Sequence, residues 1–242
     1  MKNLILSIIY FLLVCNAWSQ NRQVTQLNLE QLASTSPASP GFMAFDNNGM
    51  QIKGTPYLFD EWKIGRVRLE GEKFFTGEIG ILLDLQDDRI YVQLEDDFTA
   101  EFSVDKVDAL EIYNEQDTAL FETYDLFAYY GIGPKRLRFY EILHKGMYTV
   151  LHLQKKYLRK EEYIEKVGIV ERPNEFRSLH SYWFNNGKSI KKIKKKTSSI
   201  KSAVTSREAR KVNRIIKRNN LKIKKDKDFG TFFRLLEEEK SR

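Results

Sequence analysis

Three histidines (His144, His152 and His180), one cysteine (Cys15) and a scatter of carboxylates are the side chains able to carry acid–base, nucleophilic or metal chemistry. The histidines show neither an i, i+4 helical pairing nor an H-E-x-x-H frame, so the common histidine metal motifs are absent. His152 sits between Leu151 and Leu153 and reads as a surface or half-buried strand residue. Asp87–Asp88 and Asp96–Asp97 are paired carboxylates, a pattern suited to general acid–base work or calcium. Both pairs fall between strand-like runs, where Asp more commonly bonds its own turn backbone. Residues 131–133 (GIG) are too short for a phosphate loop, and no Lys-Ser or Lys-Thr completes one. No G-x-S-x-G elbow occurs, which argues against an α/β-hydrolase. The pattern therefore assigns no catalytic residue, no metal ligand and no cofactor. The one enzymatic alternative is action on an envelope polymer through dispersed carboxylates such as Glu78, Asp84 and Glu141.

Charge is the stronger signal. Residues 188–227 hold seventeen Lys or Arg against Glu208 and Asp226, a net +15, and because the whole chain is +7 the remainder sums to −8. Lys191, Lys192, Lys194, Lys195, Lys196, Arg207, Arg210, Lys211, Arg214, Lys217 and Arg218 are the candidate anion-binding residues. A run like this is often only a solvated face. It also suits an anionic membrane surface, where clustered Lys is attracted by about 1 kcal/mol each before screening. Nucleic-acid binding is a third reading, with no recognisable groove-reading motif to support it.

The elements that would position these residues can be read from periodicity. The stretch 33–40 (ASTSPASP) has linker composition, and residues 20–56 read as a poorly ordered lead-in. A β-rich body is expected over 57–187. Its signals are alternation at 66–69, a long strand over 74–85 interrupted by Gly77 and Gly80, and alternation at Ile90, Val92 and Leu94. Ala100, Phe102 and Val104 alternate likewise, and Val107, Leu110 and Ile112 suggest a further short strand. A hairpin is expected about His144, Lys145 and Gly146, and another at Asn185, Asn186 and Gly187. The aromatic run Phe127, Tyr129, Tyr130 beside Tyr124 suits stacking on a sugar or peptide, but sheet-edge packing is the plainer reading. From residue 188 the chain reads as a basic hairpin followed by helices. Ser206 is expected to cap one helix, ended by Asn219 and Asn220. Asp228 is expected to cap the last, whose Phe229, Phe232, Phe233 and Leu236 recur at i, i+3, i+4 and i+7. The fold class implied is α+β: an antiparallel sheet, rolled or partly barrelled, with basic helices at the C-terminal end.

Residues 1–19 read as a signal peptide. Lys2 precedes the apolar run 4–15 (LILSIIYFLLVC), and Ala17 and Ser19 frame a cleavage site before Gln20. That run is short for a bilayer span, which needs about 20 residues. Val14 is too bulky for a lipoprotein signal ending at Cys15. The expectation is an exported chain, periplasmic or outer-envelope associated, with no thiol and no transmembrane span after cleavage. At 42% apolar and 13% aromatic residues it suits a folded protein with a core of its own rather than a disulfide scaffold.

Three features together resemble a group of small secreted proteins of unknown function from Bacteroidota. They are a signal peptide ending near Ser19, the block YLFDEWKIGRVRLEGEKFFTGEIGILLDLQDDRIYVQLED, and YWFNNGKSIKKIKKK leading into basic helices. The resemblance implies a periplasmic or envelope location and carries no activity. The function expected is a non-enzymatic binding or structural module whose basic end meets an anionic envelope component or a protein partner.

Overall fold

The computed structural model describes residues 52–93, 99–115, 117–160, 162–164, 169–172 and 174–240. The signal peptide, most of the lead-in and the Asp96–Asp97 pair lie outside them. In chain order the strands are β1 (Lys63–Leu69), β2 (Ile79–Asp84), β3 (Arg89–Gln93), β4 (Thr99–Ser103), β5 (Val107–Asn114) and β6 (Asp117–Tyr124). Helix α1 (Leu126–Tyr130) follows, then β7 (Arg138–Lys145), β8 (Thr149–Arg159), β9 (Glu162–Ile164), β10 (Ile169–Arg172), β11 (Glu175–Asn185) and β12 (Ile190–Ile193). The chain closes with α2 (Thr197–Ala203), α3 (Ser206–Arg218) and α4 (Asp226–Glu238). Ten strands form one sheet in the order β12-β11-β8-β7-β6-β5-β1-β2-β3-β4, with every neighbouring pair antiparallel, and β9–β10 make a separate hairpin. The fold is α+β, as the periodicity implied.

The sheet rolls without closing. Register shifts at Arg68/Leu69 and Ile142/His144 bend β1 and β7. Gly65 lets β1 approach β5 closely, since a Cβ there would collide with the Glu111 carbonyl. The roll brings the end of β2 to β8, where the Lys156 amide donates to the Leu85 carbonyl at 3.2 Å. Residues 52–58, assigned from sequence mostly to the loose lead-in, line the same seam. Phe176 N donates to Lys53 O at 2.9 Å on one side, and Leu58 N donates to Leu83 O at 2.8 Å on the other.

Strand alternation then distributes apolar side chains among three cores. Val67, Ile81, Ile90, Leu110, Phe121 and their neighbours fill the inside of the roll. On the far half of the sheet, Tyr148, Val150, Tyr182 and Phe184 face α2, α3 and α4, while Leu151, Leu153 and Trp183 face the opposite side with Leu126 of α1. Both faces of β8 and β11 are therefore covered around Leu151–His152–Leu153 and Tyr182–Trp183–Phe184, which is why these stretches lack clean polar alternation. The phenyl rings of Phe229, Phe232 and Phe233 are fully buried, each burial contributing roughly 2–3 kcal/mol.

Several local readings differ from the structure. The strand expected over 74–85 is only β2, with Phe74 66% exposed outside it. The cap of α3 is Thr205, one residue before Ser206, and α4 starts at Asp226 rather than after Asp228. Asp228 instead accepts from the Lys222 amide at 2.7 Å. The aromatic run does not pack a sheet edge: it forms α1, capped by Asp125 and ended by Gly131 at φ +67°, with Phe127, Tyr129 and Tyr130 exposed. The basic stretch begins inside the sheet, because β12 is its edge strand.

Candidate functional site

The basic residues are best understood through α3. Thr205 Oγ1 receives the Glu208 amide while Glu208 returns a bond to Thr205 N at 2.9 Å, a reciprocal cap that fixes the helix start. Val212 and Ile215 then turn inward and are buried. That rotation places Arg207, Arg214 and Arg218 in one line at i, i+7 and i+11, flanked by Arg210, Lys211 and Lys217. Glu239 engages two of these, Arg214 at 2.7 Å through its carboxylate and Lys211 Nζ at 3.0 Å through its carbonyl. Arg207, Arg210, Lys217 and Arg218 are exposed and make no ion pair among the described residues.

The remaining candidates do not share that face. Ile193 points to the helix side of the sheet and Ile190 to the other, so Lys191 lies on the helix side and Lys192 opposite, 5.9 Å above the Trp183 ring. Lys194 and Lys196 are exposed near the edge strand, where lysine also guards against strand addition. Lys195 turns inward, bonding Asp226 at 2.9 Å and lying 4.7 Å over the Tyr182 ring.

That inward turn leads to a second arrangement, not anticipated from sequence. Glu141, His152 and Tyr182 sit on neighbouring strands at facing register positions. His152 is buried, not half-exposed: its Nδ1 lies 2.7 Å from Glu141 Oε2 and its Nε2 lies 2.9 Å from Nδ1 of His180. Tyr182 stacks on His152 at 4.5 Å, with its ring edge against Phe229. Burial, and then the Asp226 carboxylate, push the Tyr182 phenol well above its ordinary range. Spacing of two along β11 puts His180 and Tyr182 on one face, but nothing local pairs either with residues 28 or more positions away.

The three carboxylates of the enzymatic reading are not brought together. Glu78 is exposed ahead of β2. Asp84, at the other end of that strand, accepts from the Gln86 and Asp87 amides at 2.7 and 3.0 Å. Glu141 alone borders a cavity of about 390 Å³ between β6, β7 and α4, with His144, Asp226, Lys227 and Arg234. Asp88, expected to serve its own turn, instead receives Arg136 and Arg138. Among the described residues no three His, Cys, Asp or Glu side chains gather as a metal site, and no helix is long and apolar enough to cross a membrane. Comparison with known proteins found no matching family model, no matching curated protein and no matching solved structure.

Proposed function

We propose that this chain is an exported, non-enzymatic envelope protein that docks on an anionic lipid surface through the outer face of α3. The observation that carries this reading is the row of Arg207, Arg210, Lys217 and Arg218, exposed, unpaired among the described residues and set on a helix that is capped and packed before any ligand arrives. Four cations near a charged leaflet supply about 4 kcal/mol before screening, enough for reversible, salt-sensitive association. Export rests on the signal-peptide pattern of residues 1–19 and on the resemblance to secreted Bacteroidota proteins. Nothing in the placement of Glu78, Asp84 and Glu141 supports the enzymatic alternative.

Sedimentation with phosphatidylglycerol-containing and pure phosphatidylcholine vesicles across a salt series tests it. Expected are binding to the anionic vesicles only, weakening with salt, and loss of that binding in the Arg207→Gln/Arg210→Gln/Lys217→Gln/Arg218→Gln variant. Replacing Lys191, Lys192 and Lys194 by Gln is expected to reduce it less, since Lys191 and Lys192 lie on opposite faces. Wild-type protein that stays in the supernatant at low salt overturns the reading, as does duplex DNA that binds where anionic vesicles do not.

A further inference from the structure

We propose that Glu141, His152 and His180 form a pH-sensitive latch, a cross-strand hydrogen-bonded chain that accepts one added proton and breaks on receiving a second. The chain has a consistent proton arrangement when both rings are neutral. The Glu141 carboxylate accepts from His152 Nδ1–H at 2.7 Å, which leaves His152 Nε2 to accept from His180 Nδ1–H at 2.9 Å. His180 Nε2 then carries a free lone pair. A first proton fits on that atom, or on His152 Nε2 with His180 Nδ1 becoming the acceptor, and either way the ring–ring bond survives. A second proton makes both facing nitrogens N–H donors at hydrogen-bond distance, in two like-charged rings, and the bond cannot persist.

The surroundings decide which ring moves. His152 is 3% exposed, held by Glu141 and by the Tyr182 ring 4.5 Å away, whereas His180 is exposed on β11. His180 is the ring that leaves. The groups around it come from four places in the fold: Glu141 of β7, His152 of β8, Lys195 after β12 and Asp226 at the start of α4. Burial, then His152, and then Lys195 hold the His180 pKa below its ordinary value against the opposing pull of Asp226 and Glu141. Asp226 now holds Lys195 and bonds Tyr182. A released His180 imidazolium beside it competes with Lys195, so acid loosens the joint where β12, β11 and the first turn of α4 meet. This inference is independent of the lipid-surface reading.

Long-range proton–nitrogen NMR of the full chain between pH 8 and pH 4.5, with hydrogen exchange over the same range, tests it. Expected at pH 8 are the Nδ1–H tautomer for both His152 and His180. On acidification the ring–ring hydrogen bond is expected to survive the first added proton and to be lost as the second enters the chain. Protection of the Phe229 amide, which donates to the Lys225 carbonyl at 2.9 Å and closes the first turn of α4, is expected to fall about tenfold as the ring–ring bond is lost. His180→Gln keeps a donor for His152 Nε2 but takes no proton. It is therefore expected to preserve neutral-pH protection and to abolish the acid step. A ring–ring hydrogen bond that persists at pH 4.5, an Nε2–H tautomer for His152 at pH 8, or the same loss of protection in His180→Gln overturns the proposal.

Discussion

Asp88 and Arg138 are 50 positions apart in the chain, yet Arg138 Nη1 donates to Asp88 Oδ2 at 2.8 Å, with both side chains 8% exposed. Asp88 turns the chain between β2 and β3 at φ +56°, while Arg138 opens β7, four strands away along the sheet. The contact exists only because the sheet rolls, and it pins the roll where β2 approaches β8. Arg136 adds a second donor at 2.9 Å from a more exposed position.

Burial pushes the Asp88 carboxyl up and the Arg138 guanidinium down, so Arg138 tolerates its site through Asp88, and Asp88 through Arg138 first and then Arg136. Arg138→Met is expected to lose about 3 kcal/mol, because Asp88 keeps only the half-exposed Arg136. Adding Asp88→Asn in that background removes the stranded charge and is expected to restore most of the loss. Urea denaturation of the wild type, the single variant and the double variant checks this. A double variant less stable than Arg138→Met contradicts it.

Gly230 separates helix propensity from packing. In an isolated helix, Gly→Ala gains about 1 kcal/mol. Here a Cβ would strike the backbone carbonyl of Leu143 on β7, which cannot rotate away as a side chain can. Gly230→Ala is expected to destabilise by about 2 kcal/mol, the overpacking outweighing the propensity. A raised Tm in calorimetry would show that α4 can lift from β7 freely.

Glu208 joins the α3 cap to the sheet. It accepts from Thr205 N and Oγ1 at 2.9 and 2.7 Å and from the Tyr148 hydroxyl, with Lys240 at 3.4 Å. Burial alone would raise its pKa, but these donors outweigh burial and hold it below the ordinary value. A depressed carboxyl stabilises the fold above its unfolded pKa, about 4.3, and loses that contribution as pH falls through the folded value. Glu208→Ala is expected to cost about 2–4 kcal/mol at pH 7, and Thr205→Ala about 1 kcal/mol. Guanidinium denaturation at pH 7 and at pH 3 should show the Glu208→Ala penalty shrinking in acid. An unchanged penalty places it in packing instead.

The outer face of α3 is expected to be dispensable for folding. Exposed cations with no ion pair among the described residues contribute little, so the four-Gln variant of Arg207, Arg210, Lys217 and Arg218 should unfold within about 0.5 kcal/mol per substitution of the wild type. Circular dichroism melting of the variant used for vesicle binding measures this directly. A collapse of its transition would mean that these side chains support the helix itself.

Some elements were legible because their signals are local. The alternation of Ile90 and Val92 marks β3, the turn at Gly146 joins β7 to β8, and Asn185–Gly187 joins β11 to β12. The four apolar positions of α4 appeared at helical spacing and are all buried. The helix α1 was missed because its aromatics suit strands equally well, while its cap, Asp125, and its stop, Gly131, lie at the ends of a five-residue segment. The basic run was visible as charge. Its division among the face of α3, the two faces of β12 and the inward Lys195 was not, because composition does not record direction.

The sequence by itself determined the α+β class, the antiparallel pairing by hairpins and the amphipathic face of α3, since periods of 2 and 3.6 and turn residues act over a few neighbours. Tertiary structure alone decided the open roll over a closed barrel, the Asp88–Arg138 contact, the Glu141–His152–His180 chain and which cations stay exposed. Those depend on contacts between elements distant in the chain, such as Lys227 of α4 with Asp117 of β6, 110 positions away. The backbone must fold around its apolar cores before such side chains can meet.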